Sequence, residues 1–203
     1  MDLIVSGGPV MVPIGVASVV GLAVFLERIW ALRVAKVVPD GFVGEVDELM
    51  RQERWGDVAA AAAKSDSAAG RILGSAIAMR SHPRGEIKER LEEVGRREAA
   101  ELERFSTVLG TVASIAPLLG LLGTVWGMIV TFDVIQSEGI GVVANLAGGI
   151  AQALVSTMAG LTVGIPALVA HRWVLARADR LVLSLEDLGL LALGYIAPDR
   201  ISE

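Results

Sequence analysis

Three long stretches of the chain carry no ionisable side chain. They are Leu3–Leu26, Ser106–Phe132 and Gly139–Ala170, with 24, 27 and 32 residues. About 20 apolar residues in a helix cross a hydrocarbon core about 30 Å thick, so each stretch is long enough to span a membrane. Helices of soluble proteins seldom reach this length without a charge. The pattern therefore predicts an all-α membrane protein with three transmembrane helices.

The basic residues indicate how these helices are oriented. They follow the first stretch, precede the second and follow the third, whereas the N-terminus and the loop after the second stretch contain none. Basic residues concentrate on the cytoplasmic side of membranes, which predicts an outer N-terminus and a cytoplasmic C-terminus. The opening Met1-Asp2 lacks the positive charge of a signal peptide, so we expect the first stretch to be a retained anchor.

These features divide the chain into six segments. The prediction is an N-terminal segment with the first transmembrane helix (1–32), a cytoplasmic helical region (33–104), the second transmembrane helix (105–136), a loop (137–143), the third transmembrane helix (144–171) and a cytoplasmic C-terminal helix and tail (172–203).

Helical periodicity extends well beyond the membrane. It predicts helices over Phe42–Arg51 and Trp55–Lys64, and a third from about Ala68 to Arg80 that is capped by Ser65-Asp66-Ser67. No proline lies between Arg84 and the second span, which predicts one continuous helix there. The third span is likewise expected to continue into the cytoplasm, through Arg172–Ala192.

The third span has one bulky face and one small face. At 100° per residue, Asn145, Gln152 and Ser156 fall within about 40° of one another, beside a half-circle of small residues. Small residues allow close contact between membrane helices, so static packing within one chain is one interpretation. Amides in lipid need a partner or water, which favours the other interpretation, a hydrated or partner-binding lumen. In the second span, Pro117 with Gly120 and Gly123 predicts a kink or a close contact.

Composition removes several classes of protein. The chain has no cysteine, which excludes disulfides and cysteine metal sites, and its net charge of −5 argues against nucleic-acid binding. It has two histidines and neither a G-x-S-x-G nor an H-E-x-x-H motif, so we expect no enzyme activity, cofactor or bound metal.

Two runs carry a resemblance to a known family. The run 109–128, which reads LGTVASIAPLLGLLGTVWGM, resembles the second span of the ExbB/TolQ/MotA proton-channel family. The run 149–157 and the glycines after it resemble the family's third span, and Glu27-Arg28 fits the end of its first. The order of the three spans resembles the ExbB/TolQ branch.

The resemblance implies an architecture and a function. It implies five copies of the chain around a central pore in the bacterial inner membrane, with a periplasmic N-terminus. Two copies of an ExbD/TolR-like single-span partner with a membrane aspartate would stand inside, and a TonB/TolA-like protein is a further candidate partner. Proton flow would then power work in the periplasm or outer membrane.

Candidate residues follow from the spans and the family pattern together. Thr124 and Thr157 match the family's pore-lining threonines. The complete set of ion-path candidates is Thr124, Thr157, Gln152, Asn145 and Ser156, and the close-packing candidates are Pro117, Gly120, Gly123, Gly149, Gly160 and Gly164. Glu27 and Arg28 are either a cytoplasmic gate contact or a plain interfacial ion pair.

One position departs from the family pattern. Members of this branch commonly have glutamate where this chain has Gln152, and an amide cannot exchange a proton. Because the three stretches contain no carboxylate, we expect a partner aspartate to bind the proton while Thr124, Thr157 and Gln152 hydrate and position it. The departure leaves sodium open as the coupling ion, and a non-conducting oligomeric scaffold is the alternative function.

Overall fold

The computed structural model describes residues 7–138 and 143–198, with the backbone alone described at 137, 138 and 143–146. The described residues form helices and no strand, which confirms the all-α prediction. In chain order the helices are α1 (Met11–Ala31), α2 (Val34–Val37), α3 (Phe42–Arg51), α4 (Trp55–Lys64), α5 (Ala68–Ala78), α6 (Arg84–Leu102), α7 (Ser106–Glu138) and α8 (Val143–Ile196).

Three of the described segments are long and apolar enough to cross a membrane, as predicted. They lie in α1, α7 and α8. The helix α8 runs for 54 residues without interruption, so the third span does continue through 172–192 as expected. The predicted loop at 137–143 falls largely outside the described residues; the part that is described shows α7 reaching Glu138 and α8 beginning at Val143.

The prediction of one continuous helix from Arg84 into the second span is wrong. The helix α6 ends at Leu102 and α7 begins at Ser106. Between them Phe105 has a φ of 62°, in the left-handed region that an aromatic residue rarely adopts and that cannot continue a right-handed helix. The break therefore lies at one strained residue, and residues 103–105 include no glycine or proline that would predict it.

Contacts divide the chain into two compact units. The apolar unit contains the described residues up to Glu27 together with Phe105–Trp173, and the charged unit contains Arg28–Arg104 together with the described residues from Val174 onward. In the charged unit α3, α4 and α5 begin where the sequence predicts, and α5 ends at Ala78, close to the expected Arg80. The predicted cap is confirmed, since the Ser67 hydroxyl accepts a hydrogen bond from the Gly70 amide.

Arginines cap the ends of three long helices in the charged unit. Arg28, in α1, is only 4% exposed and donates to two carbonyls in the last turn of α6, at 3.3 and 3.4 Å. Arg84, the first residue of α6, donates to carbonyls at the end of α8. Arg177, in α8, donates to the carbonyl of Leu32 directly after α1, at 3.3 Å. The helices thus cap one another in a closed cycle, because each supplies a cation to the negative C-terminal end of the next.

A charge pair fastens α5 to α6 within the same unit. The Arg71 guanidinium donates two hydrogen bonds of 2.6 Å to the carboxylate of Glu98, which lies largely inside the protein. The hydrogen bond to Glu98 raises the pKa of Arg71 above its usual value. This bidentate geometry compensates for the desolvation of the carboxylate, so the pair fixes how α5 packs on α6.

Candidate ion path in the apolar unit

The helices α7 and α8 pack at backbone distance through small residues. A Cβ added at Gly120 would lie 3.0 Å from the Ser156 carbonyl oxygen, and one added at Gly127 would lie 2.8 Å from the Gly149 carbonyl oxygen. A Cβ added at Gly160 would lie 2.6 Å from the Ala116 carbonyl oxygen. Only glycine fits at such separations. The contacts set an antiparallel register in which Gly120 lies opposite Gly160 and Gly127 lies opposite Gly149.

The structure brings all six close-packing candidates to this interface. Gly164 faces Pro117, whose Cγ would be 2.5 Å from an added Cβ, so the proline ring fills the space that the glycine leaves. At Gly123 an added Cβ would overlap the Ser156 hydroxyl, and at Gly149 it would overlap the hydroxyl of Thr131. Small residues here therefore have a complete explanation within one chain.

Thr124 and Thr157 lie level with each other along this contact. Thr124 is one turn beyond Gly120 on α7, and the register places it opposite residues 153–157 of α8. Both side chains are half-buried. The Thr157 hydroxyl donates across the interface to the Gly120 carbonyl at 3.3 Å, and the Thr124 hydroxyl donates to the Leu121 carbonyl at 2.6 Å. Helical spacing in an antiparallel pair puts both threonines on the same side of the contact, which we call the hydroxyl edge.

A shallow, open groove on the surface of α8 has Thr157 at its border, and all of its lining residues belong to α8. It has a volume of about 580 Å³ and is lined by Leu154, Thr157, Met158, Leu161, Thr162, Ile165 and Pro166. Two hydroxyl groups, those of Thr157 and Thr162, are set among its bulky apolar side chains. A groove of this kind can hold an apolar helix and still offer polar contacts at membrane depth.

Gln152 and Ser156 lie elsewhere than the threonines. Ser156 is completely buried, and its hydroxyl donates to the Ala153 carbonyl at 2.9 Å. The Ser156 side chain fills the contact with Gly123 inside the chain, and its expected place in an ion path stays a prediction. Gln152 is half-buried on the opposite edge of α8, where its side chain covers Gly8.

Three candidates remain: Asn145, Arg28 and Glu27. Asn145 belongs to α8, but its side chain lies outside the described residues. Arg28 is buried and bonds to backbone carbonyls at the end of α6, as described above. Its partner in the predicted pair, Glu27, is exposed. The role of both as a gate contact stays a prediction.

Sequence reasoning missed a polar contact at one end of the α7–α8 pair. His171 lies inside α8, and its Nδ1 is 2.9 Å from the Ser106 carbonyl oxygen. A carbonyl only accepts, so Nδ1 donates. The imidazole lies against Gly110, where an added Cβ would be 3.2 Å away. Gly127 was missed as well, although its spacing after Gly120 and Gly123 continues the same helical face.

The fold and the site define an integral membrane protein whose second and third spans form a closely packed antiparallel pair with a hydroxyl edge. The chain belongs to the MotA/TolQ/ExbB proton channel family, whose sequence model matches residues 64–187. This is a channel and transport-associated family, and the relatives place the chain on its ExbB/TolQ-like side.

Several proteins of known name are similar to the chain. The ExbB-like 3 biopolymer transport protein of Synechocystis sp. is 33% identical over 167 residues, covering 81% of this chain and 79% of that protein. The ExbB-like 1 protein of the same organism is 34% identical, covering 85% of this chain and 69% of that protein. The Tol-Pal system protein TolQ of Pseudomonas aeruginosa is 40% identical over 86 residues, which cover 42% of this chain and 37% of that protein.

Proposed function

We propose that the chain is an ion-conducting stator subunit of a motor in the bacterial inner membrane. The motor uses the proton-motive force to power work in the periplasm or outer membrane. Membership of the proton channel family supports protons as the conducted ion. Similarity to ExbB-like and TolQ proteins supports the assignment as a stator subunit. The N-terminus is periplasmic and the C-terminus cytoplasmic in this proposal, as the basic flanks predict.

The observation that carries the proposal is the hydroxyl edge. Thr124 and Thr157 lie level with each other, Thr157 lines the groove on α8, and only part of each side chain is buried by its own subunit. Their hydroxyls already donate to backbone carbonyls. The oxygen lone pairs remain available to accept hydrogen bonds from water or from a protonated acid.

The proton-binding group comes from a partner in this proposal. The charge-free stretches that form the second and third spans offer no carboxylate, so a relay through them needs a titratable side chain from outside. An ExbD/TolR-like partner with one span and a membrane aspartate would supply it, with its helix in the groove. We propose five copies of this chain around two partner helices, with a TonB/TolA-like protein as a further partner. The hydroxyl edges face the centre.

A non-conducting scaffold is the second candidate, and a specific observation favours it. The glycines at the α7–α8 contact are accounted for by packing within one chain, so these small residues alone give no support to a lumen. The position of Thr124 and Thr157 is the observation that favours an ion-conducting stator over a non-conducting scaffold. A sodium-driven stator would use the same edge with a different ion.

The test is ion flux through the complex purified from its native membrane by a tag on this chain and reconstituted into vesicles. Thr157→Val is nearly isosteric and removes only the hydroxyl, so we expect flux to fall strongly while native mass spectrometry still finds the intact assembly. The matched control is Thr131→Val, which removes a buried hydroxyl that bonds the Gly127 carbonyl within α7. It should keep its flux. Retained flux in Thr157→Val would favour the scaffold, and flux driven by a sodium gradient alone would identify sodium.

A further inference from the structure

The turn that precedes α1 rests on the side chain of Gln152. Gly8 has a φ of +73°, and a Cβ added there would overlap the Gln152 amide nitrogen and lie 2.9 Å from its Cδ. The side-chain amide of Gln152 therefore occupies the space that a Cβ at residue 8 would need. The turn itself is closed by a 3.1 Å hydrogen bond from the Met11 amide to the Gly8 carbonyl. Glycine is required at this position for two reasons: the positive φ, and the lack of space for a Cβ.

Neighbouring residues extend this contact between the N-terminal part of the chain and the α7–α8 pair. A Cβ added at Gly7 would lie 3.3 Å from a methyl group of Val155, and one added at Gly123 would lie 3.7 Å from the Cβ of Val10. Further along α1, one added at Gly21 would lie 3.2 Å from a methyl group of Val112. The turn and α1 thus cover one edge of the α7–α8 pair, and Gln152 lies under the turn at that edge.

This edge is not the hydroxyl edge. Gln152 and Thr157 are five residues apart on α8, which separates their side chains by about 140° around the helix. The groove that contains Thr157 does not include Gln152 among its lining residues. One subunit therefore offers a hydroxyl edge that is open and an amide edge that its own N-terminal turn covers.

The chemistry of an amide suits the covered edge. An amide is neutral at every accessible pH, so it can pack against a backbone turn at membrane depth without a change of charge. A carboxylate in the same place would have to be desolvated against the turn, which raises its pKa and makes the contact depend on pH.

We propose that Gln152 is a positioning residue that seats the N-terminal turn on α8, and that it takes no part in ion conduction. The second half of this inference rests on the proposed function. In this arrangement the turn is held independently of pH, and the ion path uses only the hydroxyl edge.

The experiment measures amide hydrogen exchange and ion flux on the same preparations of the full complex. Gln152→Leu keeps the size of the side chain and removes its polar atoms, and Gly8→Ala attacks the same contact from the other side. Each should speed exchange at the Met11 and Val12 amides, which close the turn through the carbonyls of Gly8 and Pro9. Exchange in the middle of α7 and α8 should not change. The double variant should show less than the sum of the single effects, because both changes break one contact.

Each outcome decides the inference. Unchanged exchange in Gln152→Leu, or additive effects in the double variant, would overturn the seating role. Flux that is lost in Gln152→Leu but kept in Gly8→Ala would place the amide in the ion path and overturn the second half. Thr157→Val is the reference, with flux lost and exchange in the turn unchanged. If Thr157→Val keeps its flux, the proposed function fails, whereas the exchange data still decide whether Gln152 seats the turn.

Discussion

Gly160→Ala should separate α7 from α8, because the added methyl group meets backbone. It would lie 2.6 Å from the Ala116 carbonyl oxygen, 2.9 Å from the Gly120 Cα and 3.0 Å from the Gly120 nitrogen. Ordinary van der Waals contact begins near 3.4 Å, so the helices must move apart by about 0.5–1 Å. A gap of that size forfeits about a quarter to a half of the attraction at each atomic contact.

The expected destabilisation is about 1–3 kcal/mol, the usual effect of overpacking. Alanine also favours the helix over glycine by about 1 kcal/mol, which works in the opposite direction. Gly148→Ala is the matched control, since Gly148 is exposed on the same helix and an added Cβ meets nothing within 4 Å. The difference between the two variants isolates the packing contribution.

The assay is reversible unfolding of the purified chain in mild detergent micelles titrated with a denaturing detergent, followed by far-UV circular dichroism. We expect the unfolding constants of the two variants to differ by about 5- to 150-fold, which corresponds to about 1–3 kcal/mol. Equal stability of Gly160→Ala and Gly148→Ala would refute the close approach of the two helices.

Three further predictions concern the charged unit. Arg28→Met should lower the free energy of unfolding by about 1–3 kcal/mol because it removes the guanidinium hydrogen bonds to the Glu101 and Leu102 carbonyls, and Arg28→Lys should recover only part of this in the same detergent titration. Ser67→Ala should lower it by about 1 kcal/mol through loss of the cap on the Gly70 amide, with Ser67→Asp as the rescuing control. The hydrogen bond from Arg90 lowers the pKa of Glu93 below its usual value, so its contribution is present above the ordinary glutamate pKa and is lost as the pH falls through the folded-state pKa. The Tm of Glu93→Gln should therefore be lower than that of the native chain at neutral pH, and the two Tm values should converge in acid. A difference in Tm that persists in acid contradicts this assignment.

Much of the fold could be predicted from local sequence. Charge-free length identified the three spans, and helical periodicity with the Ser67 cap identified α3, α4 and α5, because each of these signals lies within one element. The break at Phe105 could not be predicted, since its left-handed φ depends on surrounding structure and no residue type at 103–105 signals it.

The candidate site was harder to predict because it depends on which neighbour covers each edge of a helix. The helical wheel grouped Gln152 with Ser156 correctly as a polar patch, but it could not show that Gly123 and the turn at Gly8 cover that patch. The amide edge and the hydroxyl edge look alike in sequence. The N-terminal turn distinguishes them because it covers the amide edge, and that contact joins segments far apart in the chain.

Water access to the hydroxyl edge is the most direct test of the proposed ion path. The chain contains no cysteine, so Thr157→Cys introduces a single thiol into each copy of the chain, and the complex of the native chain is the blank for any thiols of its partners. A membrane-impermeant charged methanethiosulfonate reacts with thiolate, which forms only where water reaches the sulfur. Val125→Cys, exposed on the apolar surface of α7, and Ser156→Cys, buried inside the subunit, are the controls. We expect Thr157→Cys to be modified several-fold faster than both controls, with modification blocking ion flux. Modification of Thr157→Cys as slow as that of Val125→Cys would contradict a wet cavity along this edge.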